Sequence, residues 1–472
     1  MGGVKRPAGP EPFLVEIFLT GRCNMDCTYC AARYMIHAKE PGLLTFEQLK
    51  RAAEVIAADR VVRRKHGGRV RISFTGGEPM LEFALIEKAV RHMRARYPDW
   101  EFDVSTNGTL LTPERLEFFL RNDVGLSVSL DGFGRVNDSH RRFVSGKASA
   151  FGVVERSLRA GLDDPRYRDL FHVAATLTSR TIGDLPGVVS FFRERTGLRE
   201  LEIALEAYED WGPPARAGLR RVLRGLGRRC AAALERGEGA EEAFREFIFT
   251  QAKGAEGREL TQKALTLFYD GRFYPCDFVV KPPLEEEYCV GDLERGLDHG
   301  RLEALERLPL FREIERKCEF KSGLLSPVER YYWGMVHGYS RRKLDAVLLN
   351  TSEVNRIFHE ELGPYLRLQR AYARLFMSPG FGDFVHAPKF AGSSAAGLLR
   401  LAVPAGAPPA RLRAAADWQL HSPGAGALRL AAADGRPARA AAGDIAFYAM
   451  VKSRMLGKRS RVELEADGGG RA

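Results

Sequence analysis

The sequence predicts an α/β fold of parallel βαβ units, on two observations. Apolar runs of strand length alternate six times with helix-patterned segments over residues 13–206. The unusual polar motifs in that stretch each follow directly on one of the apolar runs. Barrels built from such units collect their chemistry at the C-terminal ends of the strands, so pattern and position agree.

The first run, Phe13–Thr20, is broken only by Glu16, which suits a strand buried in a parallel sheet. A loop with three cysteines follows. Thr45-Phe46-Glu47-Gln48 is a capping box and opens a helix to about Asp59. After Gly67-Gly68, Val70–Thr75 reads as the second strand and ends in Gly76-Gly77-Glu78-Pro79. A helix from about Leu81 to Arg96 leads to a third strand, Glu101–Ser105, ending in Thr106-Asn107-Gly108. Thr112-Pro113 supplies an N-cap with proline at the first helical position. The fourth strand, Gly125–Leu130, runs into Asp131-Gly132. Ala150–Leu162 reads as helix, Phe171–Thr178 as strand, Asp184–Arg195 as helix and Glu200–Glu206 as the sixth strand.

Trp211-Gly212-Pro213-Pro214 ends the pattern. Arg216, Arg220, Arg224 and Arg228 then recur at helical spacing, a stripe that reads as a solvated helix face or as a grip on acidic or phosphorylated groups. Glu241–Gln251 continues as helix. Asp270-Gly271 sits between Ala264–Tyr269 and Arg272–Tyr274 as a hairpin signal. Residues 328–377 are aromatic and helical in pattern, whereas Ala391 to Gly443 turns to Ala, Gly, Pro and Arg with little periodicity. The expected divisions are a flexible N-terminus 1–12, the barrel 13–212, a helical linker 213–258, a small domain 259–325, a helical extension 326–390 and a low-complexity-like region 391–472.

A chain of 472 residues with 45% apolar content buries a sizeable core and holds about two to four domains. No apolar run approaches the ~18 residues of a membrane helix, so no membrane partner is expected. The Gly- and Pro-rich start lacks the apolar core of a secretory signal. Seven cysteines, three of them in one short motif, suit a reducing cytoplasm better than a disulfide scaffold. The net charge of +11 favours anionic partners without choosing among them.

The chemistry centres on Cys23, Cys27 and Cys30, spaced C-x3-C-x2-C with Tyr29 before the last cysteine. Three thiolates so close can hold three irons of a [4Fe–4S] cluster and leave the fourth open to another ligand. Half of a zinc site is the rival reading, but no second C-x2-C or His pair follows at the usual spacing. The motif resembles that of the radical S-adenosylmethionine (radical SAM) superfamily. The resemblance implies a partial (β/α)6 TIM-like barrel. It also implies that the open iron is chelated by SAM, whose reductive cleavage gives a 5′-deoxyadenosyl radical that abstracts hydrogen from a substrate.

Gly76, Gly77, Glu78 and Pro79 match the superfamily's second motif, along the methionine end of SAM. Glycines there let backbone approach a ligand closely, and Pro79 fixes the turn into the next helix. Thr106, Asn107, Ser129 and Asp131 end strands three and four, where polar groups suit ribose hydroxyls. The run Asp138-Ser139-His140-Arg141 resembles the subfamily of anaerobic sulfatase-maturing enzymes and ribosomal-peptide (RiPP) maturases. By position Ser129 would meet the ribose and Arg141, or its neighbour Arg142, the SAM carboxylate, for which a guanidinium fork is suited. Asp138 and His140 read equally well as surface loop residues.

Gly271 to Cys276 fits G-x4-C, the start of a SPASM/twitch-type domain carrying auxiliary clusters in that subfamily. Asp277, the residue after that cysteine, is the implied catalytic base. The chain departs from the pattern by lacking a cysteine before Gly271 and by keeping only Cys318 of a four-cysteine run. The domain is therefore a degenerate one. Cys276, Cys289 and Cys318 could hold one further [4Fe–4S] cluster or be relics, and Cys230 reads as a packed residue.

The expected function is radical SAM chemistry on a peptide or protein side chain, with ribosomal-peptide maturation first. An electron donor such as flavodoxin or ferredoxin is implied. A separate leader-peptide-binding protein is a further implied partner, since no leader-binding segment precedes Phe13. The alternatives are radical modification of a small molecule or RNA, and a non-catalytic Fe–S scaffold. No interleaved basic and aromatic motif for single-stranded RNA is present.

Overall fold

The computed structural model describes residues 12–30, 32, 42–146, 149–196, 201–206, 209–235, 265–275, 285–306, 309–318, 330–331, 334, 338–361, 399–404, 418–422, 425–430 and 462–467. The expectations for the N-terminus, Cys276, Asp277 and the helix 241–251 lie outside the described residues.

Contact density divides the chain into two compact units, Met1–Ala215 with Phe249–Asn355, and Arg216–Ile248 with Arg356–Ala472. The first contains an α/β sheet with strand order β6-β5-β4-β3-β2-β1-β7-β8. Its strands are β1 Phe13–Thr20, β2 Val70–Gly76, β3 Glu101–Thr106, β4 Val124–Ser129, β5 Phe171–Leu177, β6 Leu201–Leu205, β7 Leu265–Leu267 and β8 Phe273–Tyr274. β1 to β6 are parallel throughout, as the alternating units predict. The hairpin signal at Asp270-Gly271 also forms, with Gly271 at φ 80°. It adds to the sheet rather than standing apart, because β7 pairs parallel with β1 from Val15↔Leu265 to Ile17↔Leu267.

The connecting helices are α1 Phe46–Ala58, α2 Arg60–His66, α3 Phe83–Arg96, α4 Pro113–Arg121, α5 Gly134–His140, α6 Ala150–Leu162 and α7 Leu185–Ser190. Thr45 and Gln48 form the expected capping box. The helix predicted there ends at Asp59, and a second, unpredicted helix begins at once. Asp59 leaves helical geometry to end α1, and its carboxylate accepts from the amides of Val61 and Val62 to start α2. Thr112 caps α4 with Pro113 at its first position, as predicted.

From β1 to β6 neighbouring strands are consecutive in sequence, and right-handed crossovers then place their helices on one face of the sheet. Val15, Ile17, Val70, Ile72, Phe74, Val104, Val128 and Val173 face that side and are fully buried. Each stabilises the fold by ~1.5–3 kcal/mol through its removal from water. The alternate residues, among them Ser73, Asp103, Ser127 and His172, lie on the helix-free face and are half-exposed. At these positions that face is polar and only partly covered among the described residues, while the other closes the core.

After the sheet come a two-stranded ribbon, β9 Gly291–Asp292 with β10 Gly296–Leu297, and two helices, His299–Glu306 and Pro309–Lys317. The helices Pro213–Glu235 and Arg341–Glu361 follow in the chain, the first after β6 and the second beyond residue 340. In the second unit Arg220 lies 2.7 Å from Glu360, and Arg224 lies 2.8 Å from Glu361. The arginine stripe is thus partly neutralised inside its own unit, which favours the solvated-face reading for those two residues. The C-terminal region, expected to be without regular periodicity, contains a sheet of β11 Leu399–Pro404, β12 Trp418–Ser422, β13 Ala425–Leu430 and β14 Val462–Asp467 in the order β13-β12-β11-β14. Each strand alternates over only five or six residues, too short a period to stand out from the surrounding alanines. Among the described residues no helix is long and apolar enough to cross a membrane.

Candidate active site

The cysteine loop leaves β1 at its C-terminal end and is held on two sides by main-chain hydrogen bonds. On one side, Gly77 N–H donates to Thr20 O and Glu78 N–H to Arg22 O, both at 2.8 Å. The two glycines make that approach possible. A Cβ on Gly77 would lie 2.2 Å from Arg22 O, and one on Gly76, whose φ is 139°, would lie 2.5 Å from Thr20 O. The close approach predicted for these glycines is therefore made to the chain's own cysteine loop. On the other side, residues 140–144 run antiparallel to the loop, with Asp26 N–H on Arg142 O at 2.7 Å, Thr28 N–H on His140 O at 3.0 Å and Val144 N–H on Asn24 O at 3.1 Å.

Each cysteine sulfur meets a backbone N–H: Met25 at Cys23, Arg142 at Cys27 and Ala32 at Cys30. Burial pushes the Cys23 thiol up to about 12 and the Cys30 thiol to about 11, and raises Cys27 as well. A bare thiolate is disfavoured there, whereas a thiolate bound to iron carries its compensation with it. None of the three is in a disulfide. Among the described residues no three His, Cys, Asp or Glu side chains converge on a point for one metal ion. Three separate thiolates suit a cubane, in which each binds its own iron. The N–H contacts to sulfur are the kind that tune such a cluster.

Beside the loop stands a buried trio. Tyr29 Oη donates to Asp131 Oδ2 at 2.5 Å, and Arg141 Nε lies 3.1 Å from Asp131 Oδ1. The Arg141 guanidinium also stands 5.4 Å from the centre of the Tyr29 ring. Burial works against the charge of Arg141, but Asp131, Tyr29 and Cys27 together outweigh it and hold the side chain cationic. Burial likewise keeps the Tyr29 phenol protonated. Although Nε is close to Asp131, its N–H has no well-directed hydrogen-bond acceptor among the described residues. A buried guanidinium so placed suits a carboxylate ligand. Arg142 is exposed and donates to Ser139 O, so Arg141 is the arginine placed in the trio.

The other predicted residues divide into two groups. Glu78 is fully buried and accepts from Met80 N–H at 2.9 Å, Thr106 Oγ1 at 2.7 Å and Asn107 N–H at 2.7 Å. Asn107 donates to Asn24 Oδ1 at 2.8 Å and accepts from Thr109. These side chains tie β2 and β3 to the cysteine loop. Asp131 is likewise committed, to Tyr29, Arg141 and Thr176 N–H. Ser129 is half-exposed at the rim with no hydrogen bond to its hydroxyl among the described residues. Pro79 is buried at the first position of the turn Pro79–Glu82.

Asp138 and His140 are fold residues rather than free loop side chains. Asp138 accepts from Phe151 N–H and Ser149 Oγ at the start of α6. His140 is buried, with Nδ1 2.8 Å from Thr28 Oγ1 and Nε2 3.0 Å from Thr178 Oγ1. Asn24, Asn137 and Thr178 were missed by sequence reasoning. Asn24 had one signal, its place between two of the cysteines. Cys289 is half-exposed and Cys318 is buried, and no metal-binding group forms around them among the described residues.

Residues 17–165 match the family model described as the Radical SAM superfamily. The family's cofactors are a [4Fe–4S] cluster and SAM. The chain is 30% identical over 139 residues to an uncharacterized protein of Methanocaldococcus jannaschii, a stretch covering 29% of this chain and 44% of that protein. It is 30% identical over 128 residues to the GTP 3′,8-cyclase of Agrobacterium fabrum, covering 26% of this chain and 34% of that enzyme. The chain thus spans less than half the length of these curated relatives. Its fold is shared with solved structures of anSMEcpe, an anaerobic sulfatase-maturing enzyme, with bound AdoMet. The TM-score is 0.52 at 20% identity, over 75% of this chain and 98% of that one. The same figures hold for native anSMEcpe with AdoMet and the Cp18Cys peptide.

Proposed function

We propose that this protein, whose residues 17–165 match the Radical SAM superfamily model, reductively cleaves SAM and abstracts hydrogen from a peptide or protein side chain. When bound, a [4Fe–4S] cluster and SAM supply one-electron cleavage of the sulfonium and hydrogen abstraction. Cys23, Cys27 and Cys30 hold the cluster, and the N–H groups of Met25, Arg142 and Ala32 hold their sulfurs in place. Arg141 binds the SAM carboxylate and is itself oriented by Tyr29 and Asp131. The backbone of Gly76 to Pro79 lines the methionine end, and the Ser129 hydroxyl meets the ribose. Asp277 takes a proton from the substrate.

The observation that carries the reading is the pairing of three N–H-contacted cysteines, none in a disulfide, with one buried arginine whose Nε lacks a well-directed acceptor among the described residues. The peptide substrate is favoured by the fold shared with anSMEcpe, which has been solved with a bound peptide. Ribosomal-peptide maturation in a reducing compartment such as the cytoplasm follows as the working role. Flavodoxin or ferredoxin would serve as electron donor, and a separate leader-binding protein as a partner. A second reading, modification of a small molecule, draws on the GTP 3′,8-cyclase relatives.

The test is anaerobic incubation of the reduced protein with SAM. Formation of 5′-deoxyadenosine is expected, with none from Cys27→Ala. A well-loaded protein that makes none in the presence of its substrate is a scaffold. Asp277→Asn is expected to spare SAM cleavage and suppress product. GTP and a candidate precursor peptide, offered in parallel, separate the two substrate classes by which one acquires a new mass.

A further inference from the structure

The helix-free face of the sheet carries a feature that none of the SAM-site residues accounts for. Strand register aligns Thr266, Glu16, Ser73, Asp103 and Gly125 across five strands, β7-β1-β2-β3-β4. One step toward the C-terminal rim, Ser105, Ser127 and His172 align across β3-β4-β5. Asp103 stands three residues before Thr106, roughly 10 Å below the rim that bears the cysteine loop.

Asp103 is a half-exposed carboxylate whose Oδ1 accepts from Ser73 Oγ at 2.5 Å. It makes no ion pair among the described residues. The arginine beneath it, Arg71, is engaged with Glu101 at 2.9 Å through Nε and 2.5 Å through Nη2. Burial raises the Asp103 carboxyl above its ordinary range, against the opposing pull of Ser73 and the more distant Arg71 and His172. A carboxylate in that state is stabilised by any cation that reaches it.

Space for such a group is left by Gly125. Its φ is not in the left-handed region, so the backbone does not require glycine there. Among the described residues a Cβ at Gly125 would meet only Asp103 Cβ at 3.5 Å and Phe102 O at 3.9 Å, both ordinary contacts. The missing side chain therefore leaves a slot beside the carboxylate, on the side of the strand that carries His172. Phosphate or carboxylate groups would be repelled from it, and an apolar group would strand the carboxylate.

We propose that Asp103 sets substrate specificity by pairing, over Gly125, with an ammonium or guanidinium group of the substrate. This rests on the reading of the chain as a radical SAM enzyme on peptides. It deepens that reading, because a lysine or arginine side chain held here leaves the residues next to it at the rim, where hydrogen is abstracted.

The experiment compares binding of N-acetyl-lysine N-methylamide, its arginine counterpart and its norleucine counterpart to the full chain by anaerobic NMR titration. Wild type, Asp103→Asn and Gly125→Val are used, with iron content and circular dichroism as checks on folding. Wild type should prefer a cationic probe over norleucine by at least about tenfold, the weight of one charge-assisted hydrogen bond. Both variants should lose that preference, and Gly125→Val reports on the slot even where Asp103→Asn folds poorly. Equal binding of the three probes by wild type, or a preference kept by a folded variant, overturns the proposal. SAM cleavage without substrate is read from the same samples. Its absence from well-loaded wild type, repeated with a candidate precursor peptide present, defeats the radical SAM reading, while the probe preference alone decides the slot.

Discussion

Tyr29 Oη and Asp131 Oδ2 lie 2.5 Å apart, which ties the cysteine loop to the end of β4. Asp131 is almost wholly buried, so losing the phenol leaves a carboxylate oxygen short of a donor. Tyr29→Phe should therefore lower stability by ~1–3 kcal/mol. It should also loosen Arg141 and weaken SAM binding. Urea denaturation and equilibrium dialysis of SAM measure the two effects, and unchanged values in both would show the tie to be incidental.

Gly77→Ala should cost the protein its iron rather than its fold. The new Cβ would lie 2.2 Å from Arg22 O, a backbone atom that moves only if the cysteine loop moves. Iron per chain after anaerobic reconstitution should fall well below wild type while the far-ultraviolet circular dichroism is retained. Full loading would mean that the loop tolerates displacement.

Burial lowers the pKa of His140, against the opposing pull of Asp131 and Glu209. The folded chain therefore binds fewer protons than the unfolded chain between the depressed value and the ordinary histidine value of about 6.5. The contribution is complete above that ordinary value and is lost as pH falls through the folded one. Urea midpoints taken between about pH 7.5 and 5 should drop more steeply for wild type than for His140→Asn. Parallel slopes would assign the acid sensitivity elsewhere.

Iron and labile sulfide per chain, measured with and without the Cys23, Cys27 and Cys30 thiols, decide the role of the other cysteines. About ~4 iron in wild type and none in the triple variant means one cubane. A fall from about ~8 to ~4 means that Cys276, Cys289 and Cys318 hold another.

Much of the fold was legible because its signals are local. The capping box at Thr45, the proline at Pro113 and the apolar run Phe13–Thr20 each act over a few residues, and the parallel sheet follows from their order. The cysteine and glycine motifs were legible for the same reason. What they hold was less so. Glu78 and Asn107 were assigned to ligand binding, yet their hydrogen bonds run to Thr106 and Asn24, across gaps of 28 and 83 residues that no local pattern records. The pairing of β7 with β1 joins positions 250 residues apart, as Thr266 and Glu16 show.

The loop that carries the cysteines is registered to β2 by carbonyl and amide groups alone, Thr20 O with Gly77 N and Arg22 O with Glu78 N. Against β2 its position therefore depends on the absence of side chains at 76 and 77, while Thr28 and Tyr29 tie its far side to His140 and Asp131. A library randomising Arg22 should yield many variants that still load iron, whereas one randomising Gly76 and Gly77 should return glycine. Mutational tolerance at this centre would then map backbone crowding, not chemical role.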